Sequence, residues 1–249
     1  MNVSLYQAAA AMNAQSQWQE MIADNLSSAS VPGFRKADVS FDDVQANLPS
    51  LVSGVAPASF YVPVAKAATS FQQGELYSTG DSLDFALDGP GFFEVQLPNG
   101  QHAYTRNGQF ELNSKGQLVT SQGALVLSDN GPIQVDPNNT SKLTVSSSGQ
   151  ISQGADIKGQ MRVVEFPDPN QLTTTTGGLL ISTQPNLKPV AAGNETTVRQ
   201  GCLEAANSSP TTEMSQLITA MRMFEANQKV LSMQDSRMGE TITDLGGVS

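Results

Sequence analysis

Apolar residues repeat with a seven-residue period at both ends of the chain. Residues 3–29 contain no Pro or Gly and are rich in Ala, Gln and Met, which favours helix. Six of the eight a and d positions are apolar, and two glutamines interrupt the stripe. These positions are Leu5, Ala8, Met12, Gln15, Gln19, Ile22, Leu26 and Ala29. The segment therefore predicts an amphipathic helix to about Ala29, which Val31-Pro32-Gly33 ends because Pro disfavours helix in the residue before it.

The C-terminal repeat is stronger and predicts a second helix over about residues 211–245. Eight of its ten a and d positions are apolar, and this seven-residue spacing is typical of coiled-coil packing. The positions are Met214, Leu217, Met221, Phe224, Gln228, Leu231, Asp235, Met238, Ile242 and Leu245. Thr212 is the expected N-cap, and Glu213 is favourable in the first turn.

An isolated helix of this kind is marginal in water, so the C-terminal stripe needs a partner. The pattern alone leaves two possibilities open, packing within the chain and packing against a neighbouring subunit. We expect the N-terminal helix as one partner and, because its stripe is weak in the middle, further partners from other chains. The predicted interface residues are Leu5, Met12, Ile22, Leu26, Met214, Leu217, Met221, Phe224, Leu231 and Met238.

Between about residues 60 and 200 the period changes to short β-prone runs separated by turn signals, which predicts an all-β domain of meanders. Asn99-Gly100 predicts a two-residue hairpin turn, and Thr173–Thr176 predicts an exposed loop. The predicted strands are 93–97, 102–106, 117–120, 124–128, 133–135, 142–146 and 161–166.

Composition narrows the classes of function. The formal net charge of −10 argues against nucleic acid as a partner, because nucleic acid rewards clustered Lys and Arg. Ser, Thr, Asn and Gln make up 82 of the 249 residues, which is too polar for a dense enzyme core. No stretch approaches the length of a membrane-spanning helix, and the first basic residue is Arg35, so we expect neither membrane insertion nor a cleaved signal peptide.

Candidate catalytic and metal-binding residues are sparse. The chain has one histidine, His102, and one cysteine, Cys202, so neither a Cys-rich zinc site nor an internal disulfide is expected. No Gly-x-Ser-x-Gly motif accompanies His102. Asp81, Asp84 and Asp88 lack the ligand pattern of a calcium loop and predict a turn and strand edge. We expect no catalytic residue, no cofactor and no metal.

Three segments together resemble the bacterial flagellar rod and hook family of axial proteins. The first is 23–35, where Asn25-Leu26 leads to Pro32-Gly33-Phe34, similar to the family's N-terminal signature. The second runs through 71–74, 79–80, 83–87 and 89–93 to 104–108 and is similar to the family's core-domain motif. The third comprises 201–207, 213–214 and 222–227. The match covers both ends and the middle of the chain.

The resemblance implies a mainly β fold with N- and C-terminal helices, in which an all-β central domain is joined to a discontinuous helical coiled-coil domain formed by both termini. The expected divisions are an N-terminal helix at 1–34, a connector at 35–70, the β domain at 71–200 and a C-terminal helix at 201–249. The helices would line a tubular core with the β domain outside. The signature residues Asn25, Leu26, Pro32, Gly33 and Phe34 would have an architectural role.

The resemblance also implies a function: a structural subunit of the basal-body rod, which spans the periplasm and transmits torque from motor to hook. The expected partners are copies of itself, other rod and hook subunits, and the flagellar type III export apparatus. Phe224 and the short connector favour the proximal over the distal rod. The alternatives are a hook-type subunit or, from different classes, a cell-wall polysaccharide-active enzyme or an adhesin fibre.

Overall fold

The computed structural model describes residues 3–48, 58–136, 139, 141–182, 188–193 and 196–246. Among these, two α-helices near the chain ends flank a sequence made mainly of strands, so the predicted fold class is confirmed. The chain forms two compact units. Met1–Ser27, Ala37–Thr69 and Ser209–Ser249 form the first, here named the helical unit, and Ser28–Lys36 and Ser70–Ser208 form the second, the β unit.

The helical unit contains two helices and one long hairpin. Helix α1 spans Val3–Ser27, and helix α2 spans Pro210–Gly246. Strands β1 (Ala37–Leu48) and β2 (Ala58–Thr69) pair antiparallel, with Ala37 opposite Thr69 and Leu48 opposite Ala58. Helix α1 packs against both α2 and the hairpin. Residues 35–70, read from sequence as a connector, therefore contain a regular element that belongs with the helices.

The helix ends differ slightly from the sequence expectation. Helix α1 ends at Ser27, and turns closed by Val31 N–H to Ser28 C=O (3.0 Å) and Phe34 N–H to Val31 C=O (3.2 Å) follow it. Helix α2 begins at Pro210, which suits a residue without an N–H. The carbonyl of Ser209 accepts the first helical hydrogen bond, so Ser209 is the N-cap residue and the prediction of Thr212 was wrong.

The β unit is built from short antiparallel strands. They are β3 (Leu76–Ser78), β4 (Phe85–Asp88), β5 (Phe92–Gln96), β6 (His102–Thr105), β7 (Phe110–Leu112), β8 (Leu118–Thr120), β9 (Leu125–Ser128), β10 (Gly131–Pro132), β11 (Leu143–Val145), β12 (Gln150–Gln153), β13 (Asp156–Gln160), β14 (Val163–Glu165), β15 (Leu172–Thr174), β16 (Leu180–Ser182), β17 (Val190–Ala191), β18 (Thr197–Gln200) and β19 (Cys202–Glu204). Short 3-10 helices occupy Pro169–Gln171 and Thr176–Gly178.

The principal sheet has the order β15-β16-β6-β5-β9-β8-β7, with β10 beside β9, β14 beside β5 and β17 beside β14. Strands β11, β12 and β13 form a separate meander. Strand β18 pairs with β4, and β19 pairs with β3. These last two pairings place residues 76–88 beside residues 197–204, although more than a hundred residues separate them in sequence.

A single turn geometry recurs in the meanders. In the β5–β6 turn, Leu97 N–H donates to Gln101 C=O (2.9 Å) and Gly100 N–H donates to Leu97 C=O (2.8 Å). Gly100 has φ +84°, whereas Asn99 does not have a positive φ, so three residues rather than two make the turn. The predicted two-residue Asn99-Gly100 turn was therefore wrong in length. The turns that end at Gly116, Gly123 and Gly149 share this pattern.

Both faces of strand β5 are buried because successive side chains point to opposite sides of a sheet. Phe93 lies in a larger core with Phe85 and Phe110, and Phe92 lies in a second core with Tyr104. Two local predictions fail in this unit. Thr173 and Thr174 belong to β15, whose buried Leu172 anchors it beside β16, and 133–135 contributes an isolated bridge rather than a strand.

Candidate assembly interface

The buried and half-buried positions of α2 repeat every seven residues, but every second one lies one residue earlier in the sequence than predicted. Leu217, Phe224, Leu231 and Met238 are half-buried, as expected for the stripe. Met214 and Met221 are instead 52% and 53% exposed. The residues that complete the inner stripe are Glu213, Ala220, Asn227 and Gln234. Met214 and Met221 therefore do not belong to the inner stripe, and their assignment to the assembly interface stays a prediction.

Small residues explain this shift. Ala220 of α2 and Ala14 of α1 are both buried, at 0% and 4% exposure, and α1 contacts α2. Alanines at a helix contact let the two backbones approach more closely than methionines would allow. The sequence pattern predicts methionines at the helix contact because they are apolar. In the structure the smaller Ala220 occupies the contact instead.

The polar interruption of the α1 stripe has a specific partner. Gln15 is 8% exposed, and its Nε2 donates to the Ala220 carbonyl at 3.4 Å. Asn227 Nδ2 donates to Gln15 Oε1 at 3.5 Å, so a polar position on each helix satisfies the other. Ile22 is buried and Met12 and Leu26 are half-buried, while the side chain of Leu5 lies outside the described residues.

An aromatic pair lies between α1 and the hairpin. The rings of Trp18 and Phe41 meet edge to face with centroids 5.7 Å apart. At the start of β1, Asn25 bonds to both backbone groups of Ala37: its Nδ2 donates to the carbonyl (2.8 Å), and its Oδ1 accepts from the N–H (2.9 Å). The side chain of Asn25 thus acts as a strand partner, which gives this signature residue a definite architectural role.

In the β unit, Glu204 joins the three segments that carry the family resemblance. Its Oε1 lies 2.7 Å from Arg35 Nη1 and also accepts the Gly74 N–H at 2.7 Å. Its Oε2 lies 3.3 Å from Arg106 Nη1. Arg35 also donates to the carbonyl of Gln72 (2.6 Å). We name Arg35, Arg106 and Glu204 the buried charge cluster, since their side chains are at most 4% exposed.

The electrostatics of this cluster are unusual. Burial lowers the pKa of Arg106 to about 10, an effect that Glu204 opposes and Arg35 reinforces. Burial likewise lowers the pKa of Arg35, with Glu204 opposing it. A pKa of about 10 leaves the Arg106 guanidinium charged at neutral pH, and the one Glu204 carboxylate contacts both guanidinium groups. Further support comes from the Gly89 carbonyl, which accepts from Arg106 Nη2 (2.6 Å), and from the Phe92 ring, whose centroid lies 5.0 Å from the Arg106 guanidinium carbon.

Gly33 and Asn207 fix the backbone around the cluster. Gly33 has φ +67°, its N–H donates to the Glu204 carbonyl at 2.7 Å, and a Cβ there would lie 2.4 Å from the Arg106 carbonyl carbon. Asn207 Oδ1 accepts the Lys36 N–H (2.7 Å), and its Nδ2 donates to the Ser70 carbonyl (2.8 Å). Segments from both ends of the chain are thereby held to the middle of the β unit.

Comparison with known proteins matches the same three regions. The model for flagella basal body rod proteins matches residues 5–35, that for the flagellar hook protein FlgE/F/G D1 domain matches residues 86–153, and that for the flagellar basal body rod FlgEFG protein C-terminal region matches residues 199–244. The flagellar basal-body rod protein FlgF of Caulobacter vibrioides is 33% identical, over 92% of each chain. FlgG of Borreliella burgdorferi is 32% identical over 95% of this chain and 96% of the relative, and FlgF of Mesorhizobium japonicum is 32% identical over both full lengths.

The chain belongs to the flagellar basal-body rod protein family. The resemblance stated from sequence is thus confirmed, and the hook-type alternative is not favoured because these relatives are rod proteins. Relatives named FlgF and FlgG match to similar extents. Members of this flagellar family are structural components of the basal body, so the expectation of a structural protein rather than an enzyme is also confirmed.

Side chains considered for chemistry have structural partners in this rod-family chain. His102 Nδ1 lies 2.6 Å from the buried Glu94, which also lies 2.9 Å from Arg162. Asp84 accepts from the Thr79 hydroxyl (2.6 Å), and Asp81 accepts from the Leu83 N–H (3.0 Å), as expected of a turn. Cys202 is half-buried. Within the described residues, no group of three metal-ligating side chains is found and no helix is apolar and long enough to span a membrane.

Sequence reasoning identified Asn25, Pro32, Gly33 and Phe34 as architectural but did not identify the buried charge cluster. Its members lie in the three resembling segments, at the end of the first, near the end of the second and inside the third. The available signal was the presence of charged residues inside otherwise apolar or glycine-rich motifs. No spacing rule shows that they meet, because contacts between segments distant in sequence bring them together, among them the pairing of β19 with β3 and the hydrogen bond from the Gly33 N–H to the Glu204 carbonyl.

Proposed function

We propose that this chain is a structural subunit of the flagellar rod, which self-assembles into a helical tubular shaft and transmits torque from motor to hook. The observation that carries the proposal is the apolar surface left on α2 after it has packed against α1. Six large apolar residues of α2 are between 42% and 58% exposed. They are Met214, Ile218, Met221, Met223, Val230 and Met233.

Five of these residues form two flanks of α2, on either side of the inner stripe, and Met233 lies on the side opposite that stripe. Met214, Ile218 and Met221 recur at four- and three-residue spacing and share one flank. Met223 and Val230, one heptad apart, share the other. Contiguous exposed apolar surface of this kind marks protein interaction sites. We infer that neighbouring subunits cover it, so that each α2 has contacts both within its own chain and with other chains.

The predicted interface residues divide into two groups on this account. Leu217, Phe224, Leu231 and Met238, with Met12, Ile22 and Leu26 of α1, hold the helical unit together. Met214 and Met221 supply contacts between subunits. The chain is therefore divided into an assembly unit, made of both termini and the β1–β2 hairpin, and a β unit that includes residues 201–208.

We further propose the partners and position that the family relation suggests. The partners are copies of this chain, other rod and hook subunits and the type III export apparatus. The position is the rod across the periplasm, reached without cleavage of a signal peptide. Phe224 supports a proximal place in the rod.

The test is deletion of the gene followed by electron cryotomography of the basal bodies. We expect truncated rods and non-swimming cells, and wild-type chain supplied from a plasmid should restore both. His102→Ala is the matched control: because His102 has a structural partner in Glu94, this variant should also restore rods and swimming. Complete rods in the deletion strain would contradict the rod assignment, and an exported, assembled His102→Ala chain that fails to restore swimming would favour the enzyme alternative.

A further inference from the structure

The buried charge cluster leaves several of its hydrogen-bond donors unused. Within the described residues, Arg35 Nε and Nη2 and Arg106 Nε are buried and have no hydrogen-bond partner. The two side chains are only 4% and 3% exposed. A guanidinium group donates hydrogen bonds and cannot accept them, so these atoms need an acceptor. Because a buried donor without a partner costs free energy, this place suits a small ligand that accepts hydrogen bonds.

A small cavity adjoins both arginines and lies within the β unit. Its volume is about 10 Å³, and Arg35 and Arg106 form part of its wall. The other walls come from residues 33–34, from β15 and β16 and from the turn between these strands: Gly33, Phe34, Thr174, Gly178 and Leu180. A cavity of this volume holds about one water-sized particle, so it is too small for sulfate or phosphate. Thr174 is exposed, so the path from solvent to the cavity is short.

The charges at the cavity favour an anion over a water molecule. Arginine side chains stay protonated at neutral pH, so two cations face the single carboxylate of Glu204. The carboxylate of Glu165 also acts on Arg106, but its Oε1 accepts from the Thr196 hydroxyl (2.7 Å). An uncompensated charge in a buried site is costly, and a bound counter-ion removes that cost.

We propose that this cavity binds one chloride ion, held by Arg35 and Arg106. Chloride is the common anion whose size is closest to that of water. It accepts charge-assisted hydrogen bonds from the unused N–H groups and supplies the second negative charge of the cluster. The ion thereby stabilises the β unit at the point where the three segments that carry the family resemblance meet. A ligand that binds only the folded chain raises its stability in proportion to the logarithm of the ligand concentration once the site is mostly filled.

The first test is thermal unfolding of the full chain, followed by circular dichroism, as sodium chloride replaces sodium gluconate. Ionic strength is kept constant, so the screening of surface charges does not change. We expect the unfolding midpoint of the β unit to rise by about 4 °C for each tenfold increase in chloride once the site is mostly filled. Sodium bromide should have a similar effect. A midpoint that is the same throughout the chloride series would overturn the proposal.

Two arginine variants distinguish this site from the protein surface. Arg106→Met leaves Arg35 and Glu204 as a one-to-one pair, so we expect its unfolding midpoint not to depend on chloride. Arg199→Met is the matched control, because Arg199 pairs with Asp88 but is 57% exposed. It should keep the chloride dependence of the wild-type chain. A wild-type chloride dependence in Arg106→Met, or its loss in Arg199→Met, would contradict the assignment to this cavity.

A direct measurement does not depend on whether Arg106→Met folds. Crystals of the full wild-type chain are soaked in sodium bromide, and anomalous diffraction is recorded at the bromine absorption edge. We expect an anomalous peak in the cavity, within hydrogen-bond reach of both Arg35 and Arg106. A water molecule at this place, with no anomalous signal, would show that water alone satisfies the unused donors and would overturn the proposal.

Discussion

Glu204 partly neutralises the charge of two buried guanidinium groups. Its two carboxylate oxygens contact Arg35 and Arg106, and its own side chain has no exposed surface. Glu204→Gln keeps the shape but leaves two buried cations without a carboxylate. Breaking a buried pair in this way costs about 3–5 kcal/mol. We expect a loss of that order in the free energy of unfolding of the β unit, measured by urea denaturation and circular dichroism.

Asp88→Asn provides the control for this prediction, because the Asp88–Arg199 pair has a shorter distance, 2.6 Å, but both side chains are exposed. An exposed pair contributes about 0–1 kcal/mol. If Glu204→Gln proved as mild as Asp88→Asn, the charge cluster would not hold the unit together.

Replacement of Gly33 distinguishes the cost of a positive φ from the cost of a steric contact with the backbone. Gly33→Ala introduces a Cβ where φ is +67° and where the Arg106 carbonyl carbon would be 2.4 Å away. Gly100→Ala has a similar φ of +84° but meets no atom within 4 Å. We expect about 1 kcal/mol of destabilisation for Gly100→Ala and clearly more for Gly33→Ala, because the second substitution also displaces backbone. Equal thermal unfolding midpoints for the two variants would show that the backbone contact at Gly33 carries no weight.

At the scale of elements, α2 uses one face within the chain and other faces outside it. Phe224 lies on the inner stripe, so Phe224→Asp should separate α1 from α2. We expect reduced helical circular dichroism in the isolated subunit, a β unit that still unfolds cooperatively, and no completed rod. Met221→Asp should leave the helical signal of the subunit unchanged and abolish assembly.

The comparison of Phe224→Asp with Met221→Asp distinguishes inner from outer contacts, and Ser236→Asp, at an exposed position, is the control that should assemble. Equal loss of helical signal in Phe224→Asp and Met221→Asp would mean that both residues serve the same internal contact.

The elements also show what the sequence can predict. Both helices and most of the short strands follow from apolar periodicity and turn residues. The choice of Ala220 over Met221 for the helix contact does not, because it depends on how closely two backbones approach. The role of Gln15 does not follow from the sequence either. A glutamine within an apolar stripe is unfavourable there unless it has a hydrogen-bond partner, and that partner, Asn227, is known only from the structure. The pairing of residues 37–48 with residues 58–69 is not predicted, because charged residues and Pro63 interrupt the apolar alternation of the two strands.

At the scale of the whole molecule, the β unit draws residues from outside the predicted span 71–200. A fragment of residues 28–208 retains Gly33, Arg35, Glu204 and Asn207, whereas a fragment of residues 36–200 lacks all four. We expect the longer fragment to show cooperative thermal unfolding and to remain monomeric, and the shorter one to be much less stable, since it loses β19 and leaves Arg106 buried without its carboxylate. Equal unfolding midpoints for the two fragments would contradict this boundary.

If this chain is a rod subunit, neighbouring subunits cover its exposed α2 surface in the assembled rod. Electron cryomicroscopy of basal bodies purified from cells that produce the chain tests this arrangement. We expect the chain to be found in the rod, repeated helically, with Met214, Ile218 and Met221 of each copy buried against an adjacent subunit. A rod that lacks the chain, or a rod in which these three side chains face solvent, would contradict it.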